Sequence, residues 1–495
     1  MIARIRSLNT LPMSEAKPLA IILAVALVVQ VVYFVRIQTE YPSYGLTSEH
    51  YYSPPAINIL HHGTFGFGEY PNIERTTKRP PLYSVALAGI YGLFGENEAH
   101  GLALNNVLLF STIIVVYLIG RRFSAKIGLI AAVLFVLDPV GVINANKNGA
   151  AALYGFLFAL FFLVTLRSFM PSASVGRTAL SSLLLGLATL TRAASLYLWV
   201  PLLISFIVTQ RCMIGRVPLR RLALLALVLF GIQGAIIGGW MIRNNSVSGN
   251  PSFAGMTAIH LYNFYVPLVL GRAEGVPHEE MKARLQSELE ADEEYLKLSS
   301  GGDKEQYQIR KSIDIILDHP VSAGIIVLQQ VPVLFMDYPQ NAASLFLSRE
   351  KRDSVNEYLH EYSRLKSSRI DVSGYLDVIR HYVDDGLILL LIHGIIFKLF
   401  LIIVMVSGAV GMALLLYDRE DRAVGILFVV VISYMVVVSS LWPTARLRMP
   451  ILPVYAVVAA YGLSWSWNAL RRRLGQSMVT RFPGGLKRRL VSLSP

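Results

Sequence analysis

The sequence predicts an all-α polytopic membrane protein with about ten or more transmembrane helices. Of its 495 residues, 54% are hydrophobic and only 16% are charged, whereas charged residues make up about 25% of an ordinary soluble domain. The apolar residues form runs of roughly 20, which is the helix length that crosses a hydrocarbon core. They do not alternate every second residue as in a barrel strand, so helices are expected to span the bilayer.

The positive charge of the chain fits membrane topology better than nucleic-acid binding. The net charge is +13, and the basic residues gather at the ends of apolar runs, as at Arg121–Arg122, Arg220–Arg221 and Arg471–Arg473. Such clusters mark cytosolic helix ends and contact lipid headgroups, so the bilayer is expected as a partner and nucleic acid is not. Cys212 is the only cysteine in the sequence, so no intrachain disulfide can form.

The first half of the chain, residues 1–242, is predicted to be an N-terminal transmembrane module. Basic residues before the apolar run at about 19–35 place the N-terminus inside, so residues 36–100 form a first outer loop. A later apolar run, which includes Thr191 and Arg192, is too long for one crossing. We expect it to break at Thr191 and Arg192, which places Arg192 on the outer face.

Counting back from the C-terminus predicts a large outer domain. The basic tail at 471–495 should be cytosolic, and residues 392–470 form the last transmembrane helices. Residues 243–391 are then extracytoplasmic, with helical or mixed structure. The apolar segment 321–335 cannot be a single crossing in this scheme, and we expect a short helix that lies on the outer leaflet or dips into it.

Five arginines stand at predicted outer ends of helices, where Lys and Arg are normally scarce. They are Arg79, Arg192, Arg243, Arg446 and Arg448. Contact with lipid phosphates, or pairing with acids of the outer loops, would explain such residues. The alternative is a converging site for a lipid-linked phosphate, because guanidinium presents a planar fork of donors that matches phosphate. Arg243 is the weakest candidate, since it could simply cap its helix.

The first outer loop offers a candidate base. Glu49 comes soon after the first span, and a carboxylate can accept a proton from a reacting hydroxyl if it lies within hydrogen-bond reach. His50 could replace it, and a solvated loop acid without a catalytic role is the alternative. Tyr51 and Tyr52 could stack on a ligand ring or anchor at the headgroup level. Residues 56–60 are expected to form a short amphipathic helix along the membrane surface.

Motifs for other chemistries are missing from the sequence. We find no Walker loop, kinase motif set or dinucleotide fingerprint. His61 and His62 have no third ligand at metal-binding spacing. No cofactor is therefore expected, and a divalent metal such as Mg or Mn has no motif to support it.

Several stretches, taken in order, resemble a known family. They are "AINILHHGTF", "KRPPLYSVALAGIYGLFG", "GLATLTRAA", "GGWMIRNNSVSGNP" and "ARLRMPILPVYAVVAAYGL". The order is similar to that of the GT-C glycosyltransferases of the dolichyl-phosphate-mannose protein mannosyltransferase-like group, which includes the lipid A aminoarabinose transferase and the rhizobial lipopolysaccharide transferases. The resemblance implies a GT-C fold in the bacterial inner membrane. It also implies inverting transfer of a sugar from a polyprenyl-phosphate (for example undecaprenyl-phosphate) donor to a lipid, glycan or protein acceptor at the extracytoplasmic face.

The resemblance also implies roles for particular residues. Glu49 stands where the family typically has an aspartate base, and the five arginines become donor-phosphate ligands. The residues implied in the substrate cavity are His50, Tyr52, Lys78 and Tyr83. In the third outer loop the chain has Asn146, Lys147 and Asn148 where relatives often place an acid, which argues against a second carboxylate or a bound metal there.

Two other classes of protein remain alternatives. An O-antigen polymerase or ligase-like enzyme would concentrate its arginines in a large late loop, whereas here an early loop contributes. A non-enzymatic flippase or transporter of lipid-linked oligosaccharides should show pseudo-symmetric halves, whereas here the arginines gather on one face. Both comparisons favour the glycosyltransferase.

Overall fold

The computed structural model describes residues 12–40, 49–168, 174–210, 218–336, 347, 351, 380, 383–384, 386–440 and 445–481. These residues are mostly helical, with a single two-stranded hairpin among the described elements, which confirms the predicted fold class. Five of the described helices are long and apolar enough to cross a membrane, or up to seven if each of two bent pairs is one span. Four further apolar helices of 10–17 residues are shorter, so the predicted total of about ten crossings stays a prediction.

The N-terminal half contains ten helices within the described ranges. They are α1 Met13–Glu40, α2 Glu49–His62, α3 Leu82–Phe94, α4 Glu98–Arg121, α5 Ala125–Leu137, α6 Pro139–Ala145, α7 Ala151–Ser168, α8 Val175–Thr191, α9 Trp199–Val208 and α10 Leu219–Ser248. Between α2 and α3, strands β1 (Gly66–Phe67) and β2 (Glu74–Arg75) pair antiparallel. The described part of the predicted first outer loop therefore contains helices α2 and α3 and the hairpin between them.

Two helix breaks lie where the sequence places polar residues inside apolar runs. Helices α5 and α6 meet at Asp138 with a bend of 59°, and the Asp138 carboxylate accepts a hydrogen bond from the Val140 N–H at 3.0 Å. Helix α8 ends at Thr191, Arg192 has extended backbone, and a short 3-10 turn follows at Ala193–Ser195. The predicted break at Thr191 and Arg192 is confirmed.

The described part of the outer domain is helical. Its elements are α11 Met256–His260, a π-helical turn Leu261–Tyr265, α12 Val266–Glu274, α13 His278–Ala291, α14 Glu293–Leu296, α15 Gly301–Asp318 and α16 Pro320–Met336. Tyr262, Met281 and Leu285 belong to its own small core. Helix α16, the predicted membrane-associated segment, meets α15 at 98°. Its last turn is buried in the bundle through Leu334 and Phe335.

Four helices complete the described chain: α17 Ile388–Tyr417, α18 Arg422–Ser440, α19 Ala445–Arg448 and α20 Leu452–Arg481. Helices α17 and α20 approach closely at two glycines. A Cβ on Gly411 would collide with the Val458 carbonyl, and one on Gly462 would collide with the Ser407 carbonyl. Small residues allow this contact because association inside a bilayer depends on close packing.

A buried ion pair ties the start of α1 to the end of α4 on the predicted inner face. The Arg121 Nε lies 2.7 Å from a Glu15 carboxylate oxygen, and the Tyr117 hydroxyl donates to the same oxygen at 2.6 Å. Glu15 is 5% exposed and Arg121 8%.

Candidate active site

Arg79 lies at the centre of the candidate site, in the turn between β2 and α3. Its Nη1 donates a hydrogen bond to the Tyr52 hydroxyl at 3.0 Å. The guanidinium carbon lies 4.3 Å from the Tyr51 ring centroid and 5.2 Å from that of Tyr52, which is cation–π distance. Two prolines, Pro80 and Pro81, restrict the backbone that follows. The tyrosines of α2 therefore orient the Arg79 side chain.

A buried polar network lies next to Tyr52 and holds it in place. Tyr83 packs edge-on against Tyr52, with ring centroids 5.0 Å apart. Its hydroxyl donates to Asn148 Oδ1 at 2.9 Å and accepts from Asn105 Nδ2 at 2.9 Å. Asn148 Nδ2 in turn donates to the Ser53 hydroxyl at 3.0 Å. The network joins α2, α3, α4 and the third outer loop around one point.

Two sequence predictions change because of this network. Tyr83 is fully buried, so it does not line a substrate cavity as predicted; it supports Tyr52 instead. Asn148, noted only because it replaces an acid, is the hub of the network. Its amide group donates to Ser53 while it accepts from Tyr83, and an ionised aspartate could only accept. The nearby Asn146 is also fixed, since it accepts from Asn106 at 3.2 Å.

Arg192 is placed near Arg79 by the break after α8. It interacts electrostatically with Arg79, Tyr52 and Tyr154, and both arginines are half-buried. Among the residues that the structure describes, neither arginine forms an ion pair with a carboxylate, and Arg192 has no side-chain hydrogen bond at all. Two repelling guanidinium groups with no counter-ion among the described residues form a local positive centre that is suited to an anion.

The structure gives Arg448 a different role from the predicted one. Its Nε donates to Asp138 Oδ2 at 2.8 Å and its Nη2 to Oδ1 at 3.2 Å. Its Nη1 donates to the carbonyls of Leu334 and Phe335 at 3.0 and 3.1 Å. At 1% exposure, it is a structural arginine that joins α19 to the α5–α6 break and to α16. Pairing with an outer acid, the alternative from the sequence, describes it correctly.

Arg243 is likewise occupied by the protein. Its Nη1 donates to the Thr76 carbonyl at 2.5 Å and its Nη2 to the Phe65 carbonyl at 3.2 Å. Its guanidinium carbon lies 4.9 Å from the Trp240 ring centroid. The predicted phosphate role therefore does not fit Arg243. It holds the hairpin of the first outer loop against α10, and so fixes the segment that leads to Arg79.

Three predicted residues are described only in their backbone. Glu49 and His50 begin α2, and Arg446 lies on α19; their side chains lie outside the described residues. Glu49 precedes Tyr52 by three residues in a continuous helix, a rise of about 4.5 Å. The roles of all three stay predictions. Lys78 is exposed beside Arg79, and its own role is untested.

Glu305 of α15 is a carboxylate near the site that sequence reasoning missed. Burial raises its pKa, and the nearby charge of Lys78 opposes this rise. Its carboxylate lies directly against the Cα of Gly255, where any side chain would collide with it. No motif marks Glu305, because it belongs to a charged helical stretch that resembles ordinary protein surface.

The described residues contain no metal-binding arrangement. No group of three or more His, Cys, Asp or Glu side chains in these ranges is placed to hold an ion.

Comparison with known families adds to this geometry. Residues 78–232 match the family model described as dolichyl-phosphate-mannose-protein mannosyltransferase. The predicted family resemblance is confirmed over this segment. The matched segment contains Arg79, Tyr83, Asn148 and Arg192, and therefore most of the described site. None of the curated proteins compared with the sequence matches it.

Solved structures show weaker similarity. The oligosaccharyltransferase of Archaeoglobus fulgidus, in a complex with zinc and sulfate, is 15% identical with a TM-score of 0.48, and the alignment covers 93% of this chain. ArnT from Cupriavidus metallidurans bound to undecaprenyl phosphate is 16% identical with a TM-score of 0.38, covering 90% of this chain and 77% of ArnT. The present chain spans about half, 51%, of the length of the archaeal enzyme.

Proposed function

We propose that the protein is an inverting glycosyltransferase that moves a sugar from a polyprenyl-phosphate donor to a lipid, glycan or protein acceptor at the extracytoplasmic face. The observation that carries the proposal is the Arg79–Arg192 centre, which has no carboxylate partner among the described residues. It lies in the segment that matches the mannosyltransferase family. A lipid-linked phosphate fits because Arg192 stands at a helix break, where irregular backbone usually lines a cavity.

The transfer requires charge stabilisation at the phosphate. The acceptor oxygen attacks the anomeric carbon from the face opposite the phosphate. The bond between that carbon and the phosphate oxygen breaks, and its electron pair stays with the departing polyprenyl phosphate. Arg79 and Arg192 would stabilise the charge that grows on this group, and fixed donors of this kind lower the barrier because they need no reorganisation.

The tyrosines of α2 would keep Arg79 in position during this step. The Tyr52 hydroxyl takes one N–H of Arg79, and the ring of Tyr51 covers one face of the guanidinium. The remaining N–H groups are then free to point at a phosphate as a planar fork. Arg192 would approach the same anion from the end of α8.

Glu49 is the proposed base. The acceptor hydroxyl must lose its proton as the new glycosidic bond forms, and a carboxylate can take it. Glu49 begins the helix that carries Tyr51 and Tyr52, within one turn of both. Its proposed role rests on this backbone placement and on the family resemblance.

The test uses purified full-length protein in nanodiscs with undecaprenyl phosphate and a panel of undecaprenyl-phosphate sugars. Wild type should bind undecaprenyl phosphate and release it from one donor in step with sugar transfer to a membrane glycolipid. Arg79→Ala and Arg192→Ala should each lower transfer by about 100-fold. Arg79→Lys should restore only part of it, because lysine lacks the planar fork.

A matched control is Arg310→Ala, which removes an exposed outer-domain arginine. It should transfer sugar as wild type does. Equal loss in all three alanine variants would show a general charge effect, and sugar translocation without release of undecaprenyl phosphate would identify a transporter. Either result would reject the proposed site.

A further inference from the structure

The outer domain is fixed against the first outer loop next to the candidate site. The Gly255 N–H donates to the Thr77 carbonyl at 3.3 Å, one residue before Lys78. At the start of α15, Asn250 Nδ2 donates to the Gly302 carbonyl at 2.6 Å, and Gln306 Nε2 donates to Asn250 Oδ1 at 2.7 Å. Glu305 therefore lies between two residues of α15, Gly302 and Gln306, that are hydrogen-bonded to Asn250. These contacts fix the position of this part of α15.

Glu305 is half-buried at this junction and has no partner within the described residues. It makes no hydrogen bond and no ion pair there. Lys78 is close enough to act on it electrostatically, yet the two side chains do not form an ion pair. A carboxylate and an ammonium group therefore lie near each other without forming an ion pair.

The energetics argue against a purely structural role for Glu305. Burial raises its pKa above the ordinary value, so the folded protein binds the proton more tightly than the unfolded chain. Stability is then lost as the pH rises from the ordinary carboxyl pKa through the raised one, and the charged form opposes folding at neutral pH. A carboxylate that opposes folding and lacks a protein partner is better explained by a ligand.

We propose that Glu305 binds hydroxyl groups of the transferred sugar, opposite the ammonium group of Lys78. This proposal rests on the proposed glycosyltransferase function. An ionised carboxylate only accepts hydrogen bonds and a lysine only donates them, so the pair is complementary to a neutral polyhydroxylated ring. Because the anomeric carbon is bonded to the phosphate, the hydroxyls of the ring lie within a few bonds of the anion that Arg79 would hold. Lys78, the neighbour of Arg79 in the chain, is placed to reach that ring.

The test measures how tightly the protein binds undecaprenyl phosphate with and without an attached sugar. Wild type in nanodiscs is titrated with undecaprenyl phosphate, an undecaprenyl-phosphate hexose and an undecaprenyl-phosphate pentose. We expect at least one sugar-bearing lipid to bind about tenfold more tightly than the bare lipid, which is the gain of one hydrogen bond to a charged group. Glu305→Gln should lose most of this difference and keep the affinity for bare undecaprenyl phosphate.

Two further variants keep the result interpretable. Asp314→Asn is the matched control, because Asp314 is an exposed acid on the same helix; it should behave as wild type. Lys78→Met changes an exposed residue and tests the second proposed sugar ligand without changing α15. It should also reduce the preference for the sugar-bearing lipid, and it carries the test if Glu305→Gln does not fold.

The outcomes separate this proposal from the function on which it rests. If wild type binds undecaprenyl phosphate but does not prefer any sugar-bearing form, or if Glu305→Gln keeps the full preference, Glu305 does not bind the donor sugar while the phosphate site stands. If the variant changes only the KM for the acceptor, its carboxylate contacts the acceptor hydroxyls instead, which also overturns the donor assignment. Failure of wild type to bind undecaprenyl phosphate overturns the proposed function itself.

Discussion

Asp138→Asn is expected to destabilise the protein strongly. The side chains of Arg448 and Asp138 are only 1% and 3% exposed, and they form two hydrogen bonds, of 2.8 and 3.2 Å. Removing one partner of such a pair leaves a buried charge uncompensated, at a cost of about 3–5 kcal/mol. Asparagine keeps the size of the side chain and an oxygen that can still cap α6 through the Val140 N–H. The loss therefore reports the missing charge, and we expect the lower end, about 3 kcal/mol, because Arg448 retains two carbonyl partners.

The measurement is reversible unfolding in mixed micelles, followed by tryptophan fluorescence as the fraction of dodecyl sulfate increases. A double-mutant cycle with Arg448→Met isolates the pair, since the double variant should be more stable than the sum of the two single losses predicts. The described fold should be retained, so binding of undecaprenyl phosphate should weaken only to the extent that the protein unfolds.

Two results would refute this interpretation of Arg448. Unfolding of Asp138→Asn within about 0.5 kcal/mol of wild type would show that the ion pair contributes little, as for an ordinary surface change. Alternatively, Arg448→Met could bind undecaprenyl phosphate poorly while unfolding as wild type does. The arginine would then be a donor ligand, as its place in the sequence suggested.

Two further predictions concern the site support and the outer domain. Asn148→Leu should lower the free energy of unfolding by about 1–3 kcal/mol, because the buried Tyr83 hydroxyl loses the acceptor for its proton and keeps only the contact with Asn105, in which it accepts. Ser53 loses one hydrogen bond but keeps its contact with the Tyr91 hydroxyl. The same micelle assay checks this, and unchanged stability would contradict it. Tyr307 donates a hydrogen bond to the Asp292 carboxylate, and this bond is the largest of the effects that lower the pKa of Asp292 to about 2. The ionised carboxylate therefore stabilises the folded protein at neutral pH. This stabilisation is lost as the pH falls through about 2. Tyr307→Phe should move this loss to higher pH in thermal unfolding of the outer domain, and an unshifted acid transition would count against it.

The fold class and the main helix breaks could be predicted from sequence because their causes are local. A run of roughly 20 apolar residues specifies a span wherever it occurs. A polar "LTR" inside an apolar run too long for one crossing specifies a break, and the structure places it at Arg192. The ion pair between Asp138 and Arg448 joins residues 310 positions apart, and no pattern in a single sequence reveals such a contact.

The site was predictable only in part for the same reason. The Lys-Arg-Pro-Pro motif and the family resemblance predicted Arg79 and Tyr52 as members of a candidate site, and the structure places the two side chains in contact. Their mutual geometry, with Tyr51 stacked on the guanidinium, depends on the way α2 folds back on α3. Glu305 comes from a separate domain, and its surroundings exist only once Gly255 is docked beside Thr77.

The predicted outer arginines differ in the groups that they contact. Arg448 meets a carboxylate and is neutralised, and Arg243 meets carbonyl oxygens and fixes a loop. Arg79 and Arg192 meet tyrosines and each other. Carbonyls and tyrosines orient a guanidinium without cancelling its charge, but both terminal nitrogens of Arg243 already donate to carbonyls, whereas Arg79 donates one hydrogen bond and Arg192 none. Among the described residues, the Arg79–Arg192 pair therefore combines unbalanced charge with N–H groups that are left for a ligand. That combination is what a site must have if it is to stabilise an anion that forms during a reaction, and it is why the catalytic proposal rests on two arginines and not on five.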